Sequence, residues 1–203
     1  MRNGPQIGKS APNFLTVGVY RKKLGKIRLS DYRGKKYVIL IFYPANFTPV
    51  SQTELIELNN RIKEFKKLST QILAISNDSP FSHLRYLLSS HEEGGLQNLK
   101  YPLVSDLTKT ITNDYNLLTD DGMAFPGLFI IDKEGIIQYY TVNNLLCGRN
   151  INELLRILES IQYVKENPGQ ACPVNWDHDD QILYSHPLKS KLYFKNLYSP
   201  KKS

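Results

Sequence analysis

One stretch narrows the fold more than any other. Residues 35–44, KKYVILIFYP, carry an unbroken apolar run around Val38 to Tyr43. It falls far short of the about 18 residues a membrane-spanning helix needs, and it lacks polar alternation. That pattern belongs to a central strand covered on both faces. The chain then passes through FYPANFTPVSQTEL (42–55) into QTELIELNNRIKEFKKL (52–68), where Leu55, Leu58, Ile62 and Phe65 recur at helical spacing. A loop and a helix start thus arrive at the end of a buried strand, where open α/β sheets place their sites.

The remaining pattern extends this layer. QILAIS (71–76) reads as a second buried strand, and NDSPFSHLRYLLSSH as a helix with Ser79 as cap and Pro80 at its first position. SDLTKTITNDY (105–115) reads as a short helix, GLFIIDKEGIIQYYTV (127–142) as a hairpin, and RNINELLRILESIQYVKEN (149–167) as an amphipathic helix closed by Pro168 and Gly169. The order β-α-β-α-(α)-ββ-α fits a thioredoxin-like α/β fold, a central mixed sheet flanked by helices. Beyond residue 169 the chain turns polar and Pro-punctuated, so we expect a domain over 1–168 and a C-terminal arm over 169–203.

Composition closes off several functional classes. Two cysteines, Cys147 and Cys172, with no C-x-x-C and no Cys/His cluster, argue against a structural metal site or disulfide scaffold, and the expected cofactor and metal content is none. The N-terminus has no apolar signal region and reaches domain-like sequence almost at once, leaving little room for a transit peptide. The net charge is +7. Basic runs at 21–28, 33–36, 63–67 and in KSKLYFK and PKKS carry no nucleic-acid-binding signature, so they read as scattered solvated faces, some on a hairpin and a helix. Neither a membrane nor a nucleic acid is the expected partner.

At the loop, Ser51 and Glu54 form S-x-x-E, a capping-box pattern, which makes Ser51 the expected helix cap. The alternative places Thr48 at the cap and Pro49 at the first helical position. None of the four histidines (83, 91, 178, 186) has a spacing that puts it beside Ser51 as a base.

These segments in this order resemble the typical two-cysteine peroxiredoxins, AhpC/TSA type, from about residue 7 to residue 195. FYPANFTPVSQTEL is similar to that family's active-site loop, FYP-x-x-F-T-F-V-C-P-T-E; NDSPFSHLRY, GGLQ, YPLVSD, GLFIID, TVNNLLCGR and GQACPVNW follow in family order. The resemblance implies a thiolate that attacks a hydroperoxide, a sulfenic acid captured by a resolving cysteine, and a thioredoxin-type reductant. It also implies a homodimer and a ring of five dimers. Pro44 and Thr48 stand at the family's pocket positions, Glu54 at the carboxylate, Arg149 at the second arginine and Cys172 at the resolving position. GGLQ (94–97) and Tyr193-Phe194 resemble the elements that make some members prone to over-oxidation.

The centre of the motif departs from the family. Ser51 stands where the peroxidatic cysteine belongs, Gln52 replaces the following proline, and Pro126 replaces the main pocket arginine. Pro49 and Gln97 depart as well. Oxygen does not run reversible sulfenic chemistry, so peroxidase activity is expected to be lost or weak. Pro126 also matches the proline that thioredoxins carry in the cis form, which makes a cis Phe125–Pro126 bond the expectation.

Two functions follow from the resemblance: a thiol-dependent hydroperoxide reductase, or a degenerate member kept as a chaperone, scaffold or assembly subunit. Ile, Asn, Lys and Tyr, residue types with A/T-rich codons, make up 64 of 203 residues. With the likeness to plastid and cyanobacterial members, that suggests a plastid-encoded protein of the chloroplast stroma; the alternative is a bacterial cytoplasm.

Overall fold

The structure, a computed structural model, describes residues 4–199; the terminal PKKS run lies outside them. A hairpin of β1 (Leu15–Tyr20) and β2 (Lys23–Arg28) precedes β3 (Tyr37–Phe42), the apolar run, whose six residues are all buried. After the loop come α1 (Pro49–Asn60), α2 (Ile62–Lys67), β4 (Thr70–Ser76), α3 (Pro80–Leu88) and β5 (Leu103–Ser105). The short α4 (Thr110–Asp114), the hairpin β6 (Gly127–Ile131) with β7 (Ile137–Val142), and α5 (Ile151–Glu166) follow. The last elements are β8 (Gln170–Ala171), β9 (Leu183–Tyr184) and α6 (Lys191–Tyr198).

Seven strands form one mixed sheet in the order β2-β1-β5-β4-β3-β6-β7. β3 runs parallel to β4 and antiparallel to β6, so the apolar run sits inside the sheet, as its composition demands. The fold is the expected thioredoxin-like α/β layer. One face of the sheet buries Phe42, Tyr115 and Phe129 as a mutual aromatic cluster, with ring centroids 4.9 to 6.0 Å apart. The two sheet edges differ in kind. β2 is almost wholly exposed and carries Lys23, Lys26 and Arg28, whereas β7 leaves Tyr140 and Val142 exposed.

Four local expectations need correction. The single helix over 52–68 is two, interrupted at Arg61. The preceding Asn59 and Asn60 turn their side chains to other uses: Asn59 Oδ1 accepts from the Lys100 amide at 2.8 Å, and Asn60 Nδ2 donates to Glu57. The helix expected over 105–115 shrinks to α4, because Leu103–Ser105 pairs with β4 and β1 as a strand. Asp106 then accepts the amides of Ile111 and Thr112 and so starts α4. The expected element order also lacked β1, β2 and β5, which are short or solvent-facing and so show no apolar run.

The Phe125–Pro126 bond is trans, as are all peptide bonds among the described residues. The Phe125 amide donates to Leu117 O and the Pro126 carbonyl accepts from the Asn143 amide, carrying the segment extended into β6. The hairpin at 127–142, the Ser79 cap of α3 with its 3.1 Å bond from the Ser82 amide, and the helix ending before Pro168 all match expectation.

The chain divides into two compact units at Ile151/Asn152. The expected boundary at 168/169 falls within the second unit, which contains nearly all of α5. There Arg156 pairs with Glu153 and donates to the Trp176 carbonyl, while the Tyr163 and Trp176 rings meet at 5.2 Å.

Candidate functional site

The end of β3 hands the chain to Tyr43, Pro44 and the loop Ala45–Thr48. Asn46 anchors that loop. Its amide donates to Asp78 Oδ2 at 2.8 Å, its Nδ2 donates to Ser82 Oγ at 2.8 Å, and its Oδ1 accepts from the Tyr43 hydroxyl at 2.9 Å. His83 Nδ1 lies 3.2 Å from the same Oδ1, and His83 Nε2 lies 3.2 Å from Val104 O. The imidazole is fully buried, and burial lowers its pKa to about 4, so it is neutral near pH 7. Tyr43, also buried, has its phenol pushed well above the ordinary range by desolvation. Asn46, Asp78 and His83 were not singled out as site residues. No local periodicity marks them, because their partners lie 32 to 37 residues apart.

α1 begins at Pro49, with Thr48 at its cap position. The expected role of Ser51 as the cap is therefore incorrect. Proline's fixed φ and missing N–H suit the first helical position, which moves the helix start two residues ahead of Ser51. Ser51 sits inside the first turn, 4% exposed, with its Oγ 2.8 Å from Thr48 Oγ1. Thr48 Oγ1 is also 2.7 Å from Ala45 O. The single Thr48 proton thus faces two acceptors, the Ala45 carbonyl and Ser51 Oγ. This hydroxyl is held by another hydroxyl; neither a base nor a cation is among its hydrogen-bond partners.

Glu54 and Arg149 do come together. Arg149 Nε donates to Glu54 Oε1 at 2.9 Å, Nη2 pairs with Oε2, and the Arg149 amide donates to Oε1 at 2.6 Å. Arg149 Nη1 donates to Gly127 O at 2.9 Å, and the two side chains are only 5% and 6% exposed. Every nitrogen of this guanidinium is thus committed to a structural partner, in a forked geometry typical of strong pairs. Pro44 and Pro126 are both buried, and Pro126 brings no charge. Gln52 uses its amide to bond His91 O at 3.0 Å and Gly95 O at 3.2 Å, tying α1 to the loop that carries Gly94 to Gln97.

Cys172 belongs to the second unit, where its Sγ lies 3.9 Å from Ser160 O and burial raises the thiol's pKa. A raised pKa leaves less thiolate at neutral pH. Cys147 is exposed, and both thiols are free. The first unit thus joins Thr48 to Ser51 and Glu54 to Arg149 and also holds Pro44 and Pro126, whereas Cys172 belongs to the other unit.

The AhpC/TSA family pattern matches residues 7–140. A protein of Trieres chinensis called putative peroxiredoxin ycf42 is 80% identical over 203 residues, the whole of both chains. The chloroplastic 2-cysteine peroxiredoxin of Chattonella marina var. antiqua is 52% identical over 190 residues, covering 94% of this chain and 97% of that one. Among solved structures, the reduced 2-Cys peroxiredoxin of Plasmodium vivax superposes with a TM-score of 0.90 at 36% identity, covering 93% and 98% of the two chains. Sequence, fold and relatives thus agree that this chain belongs to the AhpC/TSA family, among its 2-Cys peroxiredoxins.

Proposed function

We propose that this protein is a peroxiredoxin without peroxide chemistry at residue 51, retained as a non-catalytic subunit of a homodimer or ring. One observation carries the reading. The Ser51 hydroxyl is hydrogen-bonded to the Thr48 hydroxyl, and each guanidinium nitrogen of Arg149 bonds Glu54 or the Gly127 carbonyl, so neither a base nor a cation bonds the Ser51 oxygen. A peroxidase needs a thiolate stabilised by cations and an N-terminal helix dipole; here the thiol is gone and Pro126 supplies no cation. Cys172 is a poor substitute, since burial raises its pKa. A holdase-like or scaffolding role asks only for the fold and the arm. The plastid is the favoured compartment, given the ycf42 and chloroplastic peroxiredoxins among the relatives.

The test is a coupled peroxidase assay with hydrogen peroxide and a thioredoxin-type reducing system. The natural protein is expected to show no turnover above the uncatalysed rate. Turnover in the Ser51→Cys variant means that only the nucleophile is missing; none means that the pocket around Pro126 also lacks the cation a thiolate needs. Turnover by the natural protein, abolished in Cys172→Ser, overturns the proposal. Light scattering with and without peroxide supplies a second check: the natural assembly keeps its mass, and peroxide-dependent dissociation counts against a non-catalytic subunit.

A further inference from the structure

Parts of two basic runs and one further lysine meet at a single cavity of about 450 Å³ that Ser51 does not line. Arg21 and Lys22 reach it from the β1–β2 turn, Lys66 from α2, and Lys100 from the segment before β5. No carboxylate is among its lining residues. Its floor is apolar: Leu87 and Leu99 are 3% and 6% exposed. The Tyr20 ring forms part of the wall, with the Arg21 guanidinium 5.2 Å from its centroid. Asn98 adds an uncharged polar group at the same place. The volume lies in the range of small-ligand pockets, about 300–1,000 Å³.

The turn itself supplies an independent reason to assign the site a ligand. Tyr20 pairs with Lys23, so Arg21 and Lys22 form a two-residue loop, with φ of +50° and +63°. A turn with positive φ at both central residues favours Asn-Gly or Asp-Gly, and side chains such as Arg and Lys are strained there. Lys66 has a local use, in the last turn of its helix, where a cation complements the dipole. At the turn, among the described residues, Arg21 has only the adjacent Tyr20 ring as a local partner. What the placement of Arg21 and Lys22 does provide is two cations at the mouth of an apolar-floored cavity already flanked by Lys66 and Lys100. Strained backbone of this kind collects at ligand sites.

We infer that this cavity binds a small organic phosphate, with the phosphate groups held by Arg21, Lys22, Lys66 and Lys100 and a flat apolar group lying against Tyr20, Leu87 and Leu99. Arg and Lys over an anion supply charge-assisted hydrogen bonds, and an apolar floor selects an ester over free phosphate. The inference does not depend on whether residue 51 is reactive.

Calorimetric titration of the intact protein at low salt tests it, using adenosine diphosphate, pyrophosphate and adenosine as probes. Adenosine diphosphate is expected to bind, pyrophosphate to bind more weakly, and adenosine not to bind. Lys66→Gln and Lys100→Gln should each weaken adenosine diphosphate about tenfold, as loss of one charge-assisted bond implies, while Lys35→Gln, on another face, should leave it unchanged. A paired change, Arg21→Asn with Lys22→Gly, should abolish binding and yet raise the melting temperature by about 4 °C, because it relieves the turn. No binding of either phosphate probe at millimolar concentration overturns the proposal. So does an equal loss in Lys35→Gln, which marks unspecific attraction, and so does a short DNA duplex that outcompetes adenosine diphosphate. A melting temperature that falls in the paired variant removes the strain argument and overturns the assignment of the turn.

Discussion

The two sides of the loop after β3 are held in different ways. Behind it, Tyr43, Asn46, Asp78, Ser82 and His83 form a buried hydrogen-bonded network; in front of it, Ser51 and Thr48 share one modest contact between hydroxyls. The difference follows from what each residue leaves behind when it changes. Removing one member of a buried network strands a partner without water, a cost of about 1–3 kcal/mol per neutral group and more for a charge. A change at residue 51 strands little, because its side chain is held by a single contact between hydroxyls. The network behind the loop is therefore costlier to change than the contact in front of it, and Glu54 with Arg149 belongs with that network as part of the frame.

Breaking that comparison starts with its most expensive element. Arg149→Ala leaves the Glu54 carboxylate buried and uncompensated and is expected to cost about 3–5 kcal/mol in urea unfolding, whereas replacing both partners by Leu and Met should cost far less. A loss below about 1 kcal/mol for the single variant would mean that the pair is not part of the frame. Next comes the imidazole. The folded pKa of His83, about 4, lies below its unfolded value near 6.5, so the unfolded chain binds more protons as pH falls through that window. Stability is therefore full above about pH 6.5 and drops by up to about 3 kcal/mol toward pH 4. Unfolding free energies measured across that range should show the slope, and His83→Gln should flatten it. The smallest effect belongs to the front of the loop. Ser51→Ala should change stability by about 0.5–1 kcal/mol, as a single hydroxyl contact suggests; a cost as large as that of Arg149→Ala would place Ser51 in the frame after all.

The sequence made much of the frame readable and little of its wiring. The Val38–Tyr43 run identified the central strand because burial on both faces forces composition there. Ser79-Pro80 marked a helix start because cap and proline chemistry are local. The same local logic misled at Ser51, where S-x-x-E competed with Thr48-Pro49 and the proline prevailed. It misled again at Phe125–Pro126, whose trans bond is set by partners on other segments, Leu117 and Asn143. The Asn46–Asp78–His83 network was out of reach for the same reason, since it exists only once β3, β4 and α3 are side by side. The cavity at Tyr20 shows this most plainly: its four cations come from three separated stretches, two of them read alone as solvated charge runs and the third a single lysine.

The unequal edges of the sheet bear on how copies of this chain can associate. Along β2, Lys23, Lys26 and Arg28 set like charges against any strand approaching from outside, which discourages extension in that direction. Along β7 the N-terminal segment covers the start at Ile137, and Tyr140 and Val142 beyond it leave an apolar border without charges. A sheet that can grow at one side only cannot polymerise head to tail. Were two copies to pair β7 to β7, each would use its less guarded border, and growth would stop at two in a closed two-fold object instead of a fibre.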